Sequence, residues 1–193
     1  MTATDASTIH KDFETITARV RTRAHARRAL VEAVLAVVLA VGGALLVWGG
    51  TFATNMVHDQ LADQRIVFPT AGSPGFDAKT FPGLQQYAGQ TVDNGPKAKA
   101  YADQYIATHI DQIGGGKTYS ELSTESRANP DDAALAGKVQ TVFRGETLRG
   151  LLLYAWGWSV VGHIASLVAW GAFALAGVVL AALVYGMARP QHA

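Results

Sequence analysis

Two long stretches of the chain contain almost no charged side chains, and they dominate its pattern of hydrophobic and polar positions. Residues 29–52 contain one charge, Glu32, and residues 150–188 contain neither a charge nor a proline. As α-helices they would extend about 36 Å and about 58 Å, against about 30 Å for the hydrocarbon core of a bilayer. Neither stretch shows the polar face of a soluble core helix. The pattern therefore predicts two transmembrane helices.

The second stretch is longer than one crossing, and its aromatic residues indicate where the crossing begins. Tyr154, Trp156 and Trp158 favour the headgroup level, so we expect the helix to cross from about Trp158 to Tyr185. Two crossings would need short helices and a turn. The first stretch is longer than the apolar segment of a signal peptide, which favours an uncleaved signal-anchor.

The residues between the two stretches show helix signals and no convincing strand. The first helix is expected to continue until the prolines and glycines of residues 69–75 interrupt it. Asn94-Gly95-Pro96 opens a second helix, which ends near Gly114. The expected core of this part consists of apolar residues, namely Ile66, Phe68, Phe76, Phe81, Leu84, Tyr87, Tyr101, Tyr105, Ile110, Leu122, Leu135, Val139 and Phe143.

Two further helices follow. Thr118 and Glu121 have the spacing of a capping box, which predicts a short helix to about Arg127. The run from Asn129 to Asp132 has a cap, a proline and two acids in helix-start positions. We expect the helix that it starts to continue, either straight or bent at Gly145 or Gly150, directly into the second crossing.

The predicted fold class is an all-α membrane protein with two transmembrane helices in a hairpin topology and a small α-helical domain between them. The predicted boundaries are a basic tail at 1–28, a transmembrane helix at 29–52 and the helical domain at 53–147. An interfacial segment and the second transmembrane helix occupy 148–187, and a short tail occupies 188–193.

The arginines indicate the orientation, because cytoplasmic loops carry an excess of positive charge. They place both termini in the cytoplasm and the helical domain outside the cell membrane, which is crossed twice. An ion pair between Arg28 and Glu32 is expected at the inner boundary. The predicted topology and membrane anchors are Arg19, Arg21, Arg23, Arg27, Arg28, Trp48, Tyr154, Trp156, Trp158, Tyr185 and Arg189.

The tail ahead of the first crossing leaves two interpretations open. Ile9, Phe13, Ile16 and Val20 share one helical face beside the arginines, which is typical of an interfacial helix on anionic lipid. The alternative is a mobile tail whose arginines only determine topology.

Small residues at short spacings within the two crossings predict close helix packing, since small side chains let helix backbones approach in a bilayer. The two helices of one chain could use them to pack as a hairpin, and several chains could use them to form a homo-oligomer. The residues concerned are Ala36, Ala40, Gly43 and Ala44 in the first crossing, and Ala165, Ala169, Ala172 and Ala176 in the second.

One run of glycines matches part of the sequence motif of a phosphate-binding loop, namely Gly114-Gly115-Gly116-Lys117-Thr118. That motif needs a further glycine at position 111, which is Asp111, and it should follow a strand rather than a helix. We therefore interpret the glycines as a helix end and expect no nucleotide. The net charge of +1 likewise gives no indication of a nucleic-acid partner.

The candidate chemistry is sparse. The chain has no cysteine, and its six histidines form no His-Glu-x-x-His motif. We expect no metal, no cofactor and no catalytic residue. An enzyme would require groups such as His58, His109 and Glu146 to meet in space. Arg144, Glu146 and Arg149 are candidate partner contacts, or else a solvated collar above the membrane.

Several runs resemble a family of small two-span membrane proteins from actinobacteria. They are Tyr-Ala-Gly-Gln at 87–90, Gly-Gly-Lys-Thr-Tyr-Ser at 115–120 and Phe-Arg-Gly-Glu-Thr-Leu-Arg-Gly-Leu-Leu-Leu at 143–153, within a resemblance over about residues 45–165. The family has no established activity, so the resemblance implies no catalytic residue. Some relatives are labelled aromatic ring-opening dioxygenases, but this chain offers no set of iron ligands for that chemistry.

These observations favour a non-enzymatic accessory protein that presents a helical domain outside the membrane. Its expected partners are the lipid bilayer and another membrane protein or further copies of itself. The alternative from a different class is a homo-oligomeric channel or pore subunit whose first helix, rich in alanine and glycine, lines the pore.

Overall fold

The computed structural model describes the backbone of residues 3–188 and the side chains from Phe13 onward, except those of residues 14 and 18. Five α-helices account for most of these residues: α1 (Ala3–Asp63), α2 (Gly95–Ala100), α3 (Ala107–Gly114), α4 (Tyr119–Ala128) and α5 (Ala133–Ala188). A 3-10 helix spans Pro82–Tyr87, and a π-helical segment, Tyr101–Ile106, joins α2 to α3 without a break. The described residues contain no strand, only an isolated bridge between Val67 and Thr91. The prediction of a helical fold is confirmed.

Helices α1 and α5 contain the two apolar stretches, residues 29–52 and 150–188, and both helices are long and apolar enough to cross a membrane. Large apolar side chains in these stretches face outward; Val37 is 61% exposed and Leu167 is 58% exposed. A helix in the core of a soluble protein would instead be covered. The predicted ion pair at the start of the first stretch is present, with Arg28 Nε 2.7 Å from Glu32 Oε1.

The helix ends follow the local signals with one exception. Asn94 caps α2 through its side-chain oxygen, which accepts from the Lys97 amide, and the capping box of Thr118 and Glu121 is complete. The predicted cap of α5 at Asn129 is wrong. Asn129 ends α4 instead, and Asp132 accepts from the Leu135 amide at 2.9 Å. Two acceptor side chains compete in this run, and the one adjacent to Ala133 caps the helix.

The chain divides into two compact units, the first formed by Met1–Val47 with Leu167–Ala193. In this unit the ring of Phe173 lies over Gly43, where an added Cβ would stand 2.8 Å from the ring. Ala36, Ala169 and Ala176 are buried, whereas Ala40 and Ala44 are exposed. A step of seven residues stays on one helix face, but a step of four drifts by about 40°, so the buried small residues follow the longer step.

The second unit is Trp48–Ser166, and in it the backbones of α1 and α5 come close at two glycines. A Cβ on Gly50 would lie 2.8 Å from the Gly162 carbonyl oxygen, and a Cβ on Gly162 would lie 3.0 Å from the Gly50 carbonyl oxygen. A side chain at Gly50 would force the backbones apart, and one at Gly162 would need the facing helix to shift by a few tenths of an ångström. Approaches of this kind are typical of helices that pack within a bilayer.

The core of the second unit draws residues from both long helices. Val57 and Leu61 of α1 and Leu152 of α5 join the expected core residues Phe68, Phe76, Phe81, Leu84 and Ile110. Leu122, Val139 and Val142 form a smaller cluster. Phe143 is 49% exposed, so its predicted place in the core is wrong; its ring contacts Tyr119 at 5.4 Å on the surface.

Two adjacent glycines of α1 should respond to alanine in opposite ways. Gly50→Ala should lower the free energy of unfolding by about 1 kcal/mol or more, because the added methyl group meets the Gly162 carbonyl. Gly49→Ala should raise it by about 0.5–1 kcal/mol, because no atom lies within 4 Å of that position and alanine is the better helix former. Unfolding of the purified chain in mild detergent, followed by circular dichroism, measures both. Equal effects at both positions would contradict the close approach.

Candidate functional site

Residues 95–114, which comprise α2, the π-helical segment and α3, form what we call the lateral helix. It runs antiparallel to α5 within the second unit. Gly95 lies against Ser159 and the backbone of Trp156, and Ile110 lies against Gly145; a Cβ on either glycine would collide with the facing side chain. The lateral helix is therefore held along α5 at both of its ends.

A cluster of charged side chains connects the middle of the lateral helix to α5. Lys99 forms an ion pair with Asp103, and Arg149 Nη2 lies 3.6 Å from Asp103 Oδ1. Arg149 Nη1 also binds Glu146 at 3.0 Å. We call Lys99, Asp103, Glu146 and Arg149 the charge cluster. It brings together two of the three predicted partner-contact residues and two residues of the lateral helix.

The cluster is partly shielded from solvent, which strengthens its pairings. Lys99 Nζ lies 4.7 Å from the centre of the Trp156 ring, in cation–π geometry. Arg149 Nε is buried and has no hydrogen-bond partner among the described residues. The hydrogen bond from Lys99 lowers the pKa of the Asp103 carboxyl group, and the charge of Arg149 adds to that effect against the opposing effect of burial.

The opposite side of the lateral helix carries aromatic residues into the core. The rings of Tyr101 and Tyr105, both in the π-helical segment, lie 4.9 Å apart, and Tyr101 contacts Phe68 at 5.0 Å. His109 stacks on Phe81, with ring centres 5.7 Å apart. Burial raises the pKa of the Tyr101 hydroxyl, with a smaller contribution from Tyr105. π-Helical turns are frequent at functional sites, and this one presents two tyrosines side by side.

A groove lies between α1 and α5 within the second unit, with a volume of about 560 Å³. Its lining includes Phe52 and Met56 from α1 and Tyr154 and Trp158 from α5. No lining residue carries a charge. We call it the aromatic groove; the sequence offered no signal for it beyond the aromatic residues assigned as anchors.

The histidines and Glu146 that an enzyme would have to bring together have separate partners. His58 Nδ1 lies 2.9 Å from the Asp93 carbonyl oxygen, and His109 Nδ1 lies 2.8 Å from the Tyr105 carbonyl oxygen. Glu146 pairs with Arg149. Among the side chains that the structure describes, no group of three or more histidines and carboxylates could hold a metal ion.

The glycine run at 114–116 ends α3, with Gly115 at φ 65° and Gly116 at φ 78° in the left-handed region. Lys117 binds Glu125 across the turn at 2.6 Å. Here the run serves as a helix end followed by a helix cap, which is the interpretation that the sequence favoured.

The predicted anchors differ in their surroundings. Trp48, Tyr154 and Tyr185 are largely exposed, whereas Trp156 is partly buried beneath Lys99.

Arg144 is exposed, with no ion pair within the described part of the chain. Ala165 lines the groove and Ala172 is partly buried. Arg189 and the end of the C-terminal tail lie outside the described residues, as does the Ile9 side chain.

Comparison of the chain with protein-family models, with curated proteins and with solved structures gives no match. The resemblance to the actinobacterial two-span family stays a prediction.

The charge cluster predicts a pH-dependent difference between wild type and Asp103→Asn. The carboxylate has a folded pKa below its unfolded value, so its stabilisation is present above about pH 4. It is lost as the pH falls through the folded pKa. At pH 7 the substitution should lower the free energy of unfolding by up to about 1 kcal/mol, and the difference should vanish in strong acid. Denaturant unfolding at both pH values measures it.

Glu146→Gln is the matched control, since Glu146 is more exposed and, within the described part of the chain, forms an ion pair only with Arg149. Its effect should be smaller than that of Asp103→Asn. A loss of stability for Asp103→Asn that is the same at neutral and acidic pH would contradict an ionic role for Asp103.

Proposed function

We propose that the chain is an integral membrane protein of the cell membrane that crosses it twice, through the apolar parts of α1 and α5. The support is the outward exposure of large apolar side chains along both stretches, as at Val37 and Leu167. In water this surface would be costly, whereas lipid tails cover it. The glycine and alanine contacts between helices fit the same environment.

Both termini lie in the cytoplasm in this proposal, and residues 53–147 form an extracytoplasmic helical domain. The arginines that precede Ala29 support this orientation. The exposed Trp48 would lie near the outer headgroups, and Tyr185 near the inner ones.

The role that we propose is that of a non-enzymatic accessory protein, which binds another membrane protein through its outer domain. The observation that carries this role is the attachment of the lateral helix along α5. Glycine contacts at both ends and the charge cluster in the middle join the domain to a helix that continues toward the membrane. A partner that binds the domain would therefore act directly on α5. The exposed and unpaired Arg144 lies on α5 beside this attachment.

Thiol labelling tests the topology, because the natural chain has no cysteine. Ala24→Cys and Ala78→Cys place single thiols at exposed positions on either side of the first crossing. A maleimide that cannot cross membranes should label only Ala78→Cys in intact cells and both variants after permeabilisation. Labelling of Ala24→Cys in intact cells, or recovery of the chain in the supernatant without detergent, would contradict the membrane proposal.

Cross-linking in native membranes distinguishes the accessory role from the homo-oligomeric channel. An accessory protein should give a heteromeric adduct of constant composition, and a pore subunit should give a ladder of copies of itself. The proposed partner presents an acidic group to Arg144. Arg144→Glu should therefore reduce the heteromeric adduct by about tenfold or more, because it would bring two negative charges together at the contact. Lys138→Glu, an exposed charge reversal on the same helix, should leave it unchanged. A ladder without a heteromer would favour the channel.

A further inference from the structure

The aromatic groove has the dimensions of one hydrocarbon chain. Its α1 wall runs from Gly49 to Gln60 and its α5 wall from Tyr154 to Ala165. Each wall is about 16 Å long at 1.5 Å per residue. One leaflet of a bilayer contributes about 15 Å of hydrocarbon. A single acyl chain therefore matches the groove in length.

The lining changes in polarity from one end to the other. Gln60 and Tyr154, which carry an amide and a hydroxyl group, lie at one end, and Gly49 and Ala165 lie at the other. The two walls are antiparallel, as the contact between Gly50 and Gly162 requires, so both polar residues are at the same end. An amphiphile has the same gradient, with hydrogen-bond acceptors at one end of an apolar chain.

The apolar end of the groove is placed where lipid could reach it. Gly49 follows Arg28 by about 31 Å of helix, close to the thickness of the hydrocarbon core. In the orientation proposed above, the groove opens at the outer edge of the bilayer and extends away from it. Val161, which lines the groove near this end, is 53% exposed.

We propose that the aromatic groove binds one acyl chain of an outer-leaflet phospholipid, raised from the bilayer with its ester group at Gln60 and Tyr154. This inference depends on the proposed membrane placement. The Gln60 amide and the Tyr154 hydroxyl can donate hydrogen bonds to the ester carbonyl, and the rings of Phe52 and Trp158 cover the chain.

The absence of charge from the lining favours a lipid chain over a helix of a second copy or of another protein. Protein interfaces combine aromatic anchors with a polar rim that fixes the register of the partner. Here the Gln60 amide and the Tyr154 hydroxyl lie at one end, the indole N–H of Trp158 is the only other side-chain hydrogen-bond donor of the lining, and the rest gives non-directional apolar contact. A flexible acyl chain can bind such a surface without a fixed register relative to the lining residues.

Photo-cross-linking of the full chain tests the site. The protein is reconstituted into phosphatidylcholine vesicles that contain a phosphatidylcholine with a diazirine in one acyl chain, and adducts are mapped by mass spectrometry. Adducts should concentrate on Phe52, Met56 and Trp158. Gly49→Phe places a ring in the lining of the groove from a position where an added Cβ meets no atom within 4 Å. The ring should displace about two methylene groups of the acyl chain from the groove. The affinity of the groove for the chain, and with it the yield of these adducts, should fall by about tenfold.

Gly42→Phe is the matched control: it lies seven residues earlier on α1, also has open space at its Cβ, and does not line the groove. It should leave the adducts unchanged. Val161→Phe is a second groove-filling variant, used if Gly49→Phe fails to give the wild-type circular dichroism spectrum.

The outcomes separate this inference from the membrane placement. Vesicle-bound protein whose adducts are spread evenly over its apolar surface, unaffected by either groove-filling variant, would overturn the lipid site alone. Disulfide-linked dimers of Met56→Cys formed in the vesicles would also overturn it, because they would place a second copy in the groove. Failure of the chain to associate with vesicles would overturn the membrane proposal itself.

Discussion

The contact between the backbones of α1 and α5 at Gly50 and Gly162 is the constraint on which the second unit depends. A Cβ on either glycine would lie 3.0 Å or less from the carbonyl oxygen of the other, so a side chain at either position would push the two backbones apart. The approach places Val57 and Leu61 beside Leu152 in one core. Gly162 also lines the aromatic groove, together with Gly49, and neither glycine provides a side chain to fill it.

Helix α5 packs against two other helices in this unit, and a glycine makes each of the two contacts possible. Its Gly162 meets α1, and its Gly145 receives Ile110 of the lateral helix. Between these two positions the charge cluster adds directional contacts through Arg149. Apolar contacts at such glycines supply most of the attachment, since partly exposed ion pairs contribute little each. The cluster chiefly fixes the register of the lateral helix on α5 and provides a charged surface beside Arg144.

Local signals in the sequence predicted more of this structure than long-range ones. The uncharged stretches, the capping box at Thr118 and the end of α3 at Gly115 all depend on neighbours within a few residues, and each matches the structure. The pairing of Arg149 with Asp103 joins residues far apart in sequence, so Arg149 was recognised as charged but its partner was not. In the sequence, Gly95 indicated only a helix start and Gly145 only a possible bend. The close packing of another helix against a glycine leaves no signal in the neighbouring residues. Asn129 and Asp132 are both favourable cap residues, so local sequence does not choose between them, and in the structure Asp132 is the residue that accepts from the Leu135 amide.

The π-helical segment within the lateral helix makes its register sensitive to length. A π turn holds one residue more than an α turn, so it sets the rotation of every position after it. Deleting one residue between Tyr101 and Ile106 would convert the segment to α-helix and rotate α3 by about 100° about its axis. Ile110 would then face away from Gly145, and His109 would leave the Phe81 ring. The π-helical segment therefore aligns the tyrosines, the histidine and the isoleucine with three different neighbours.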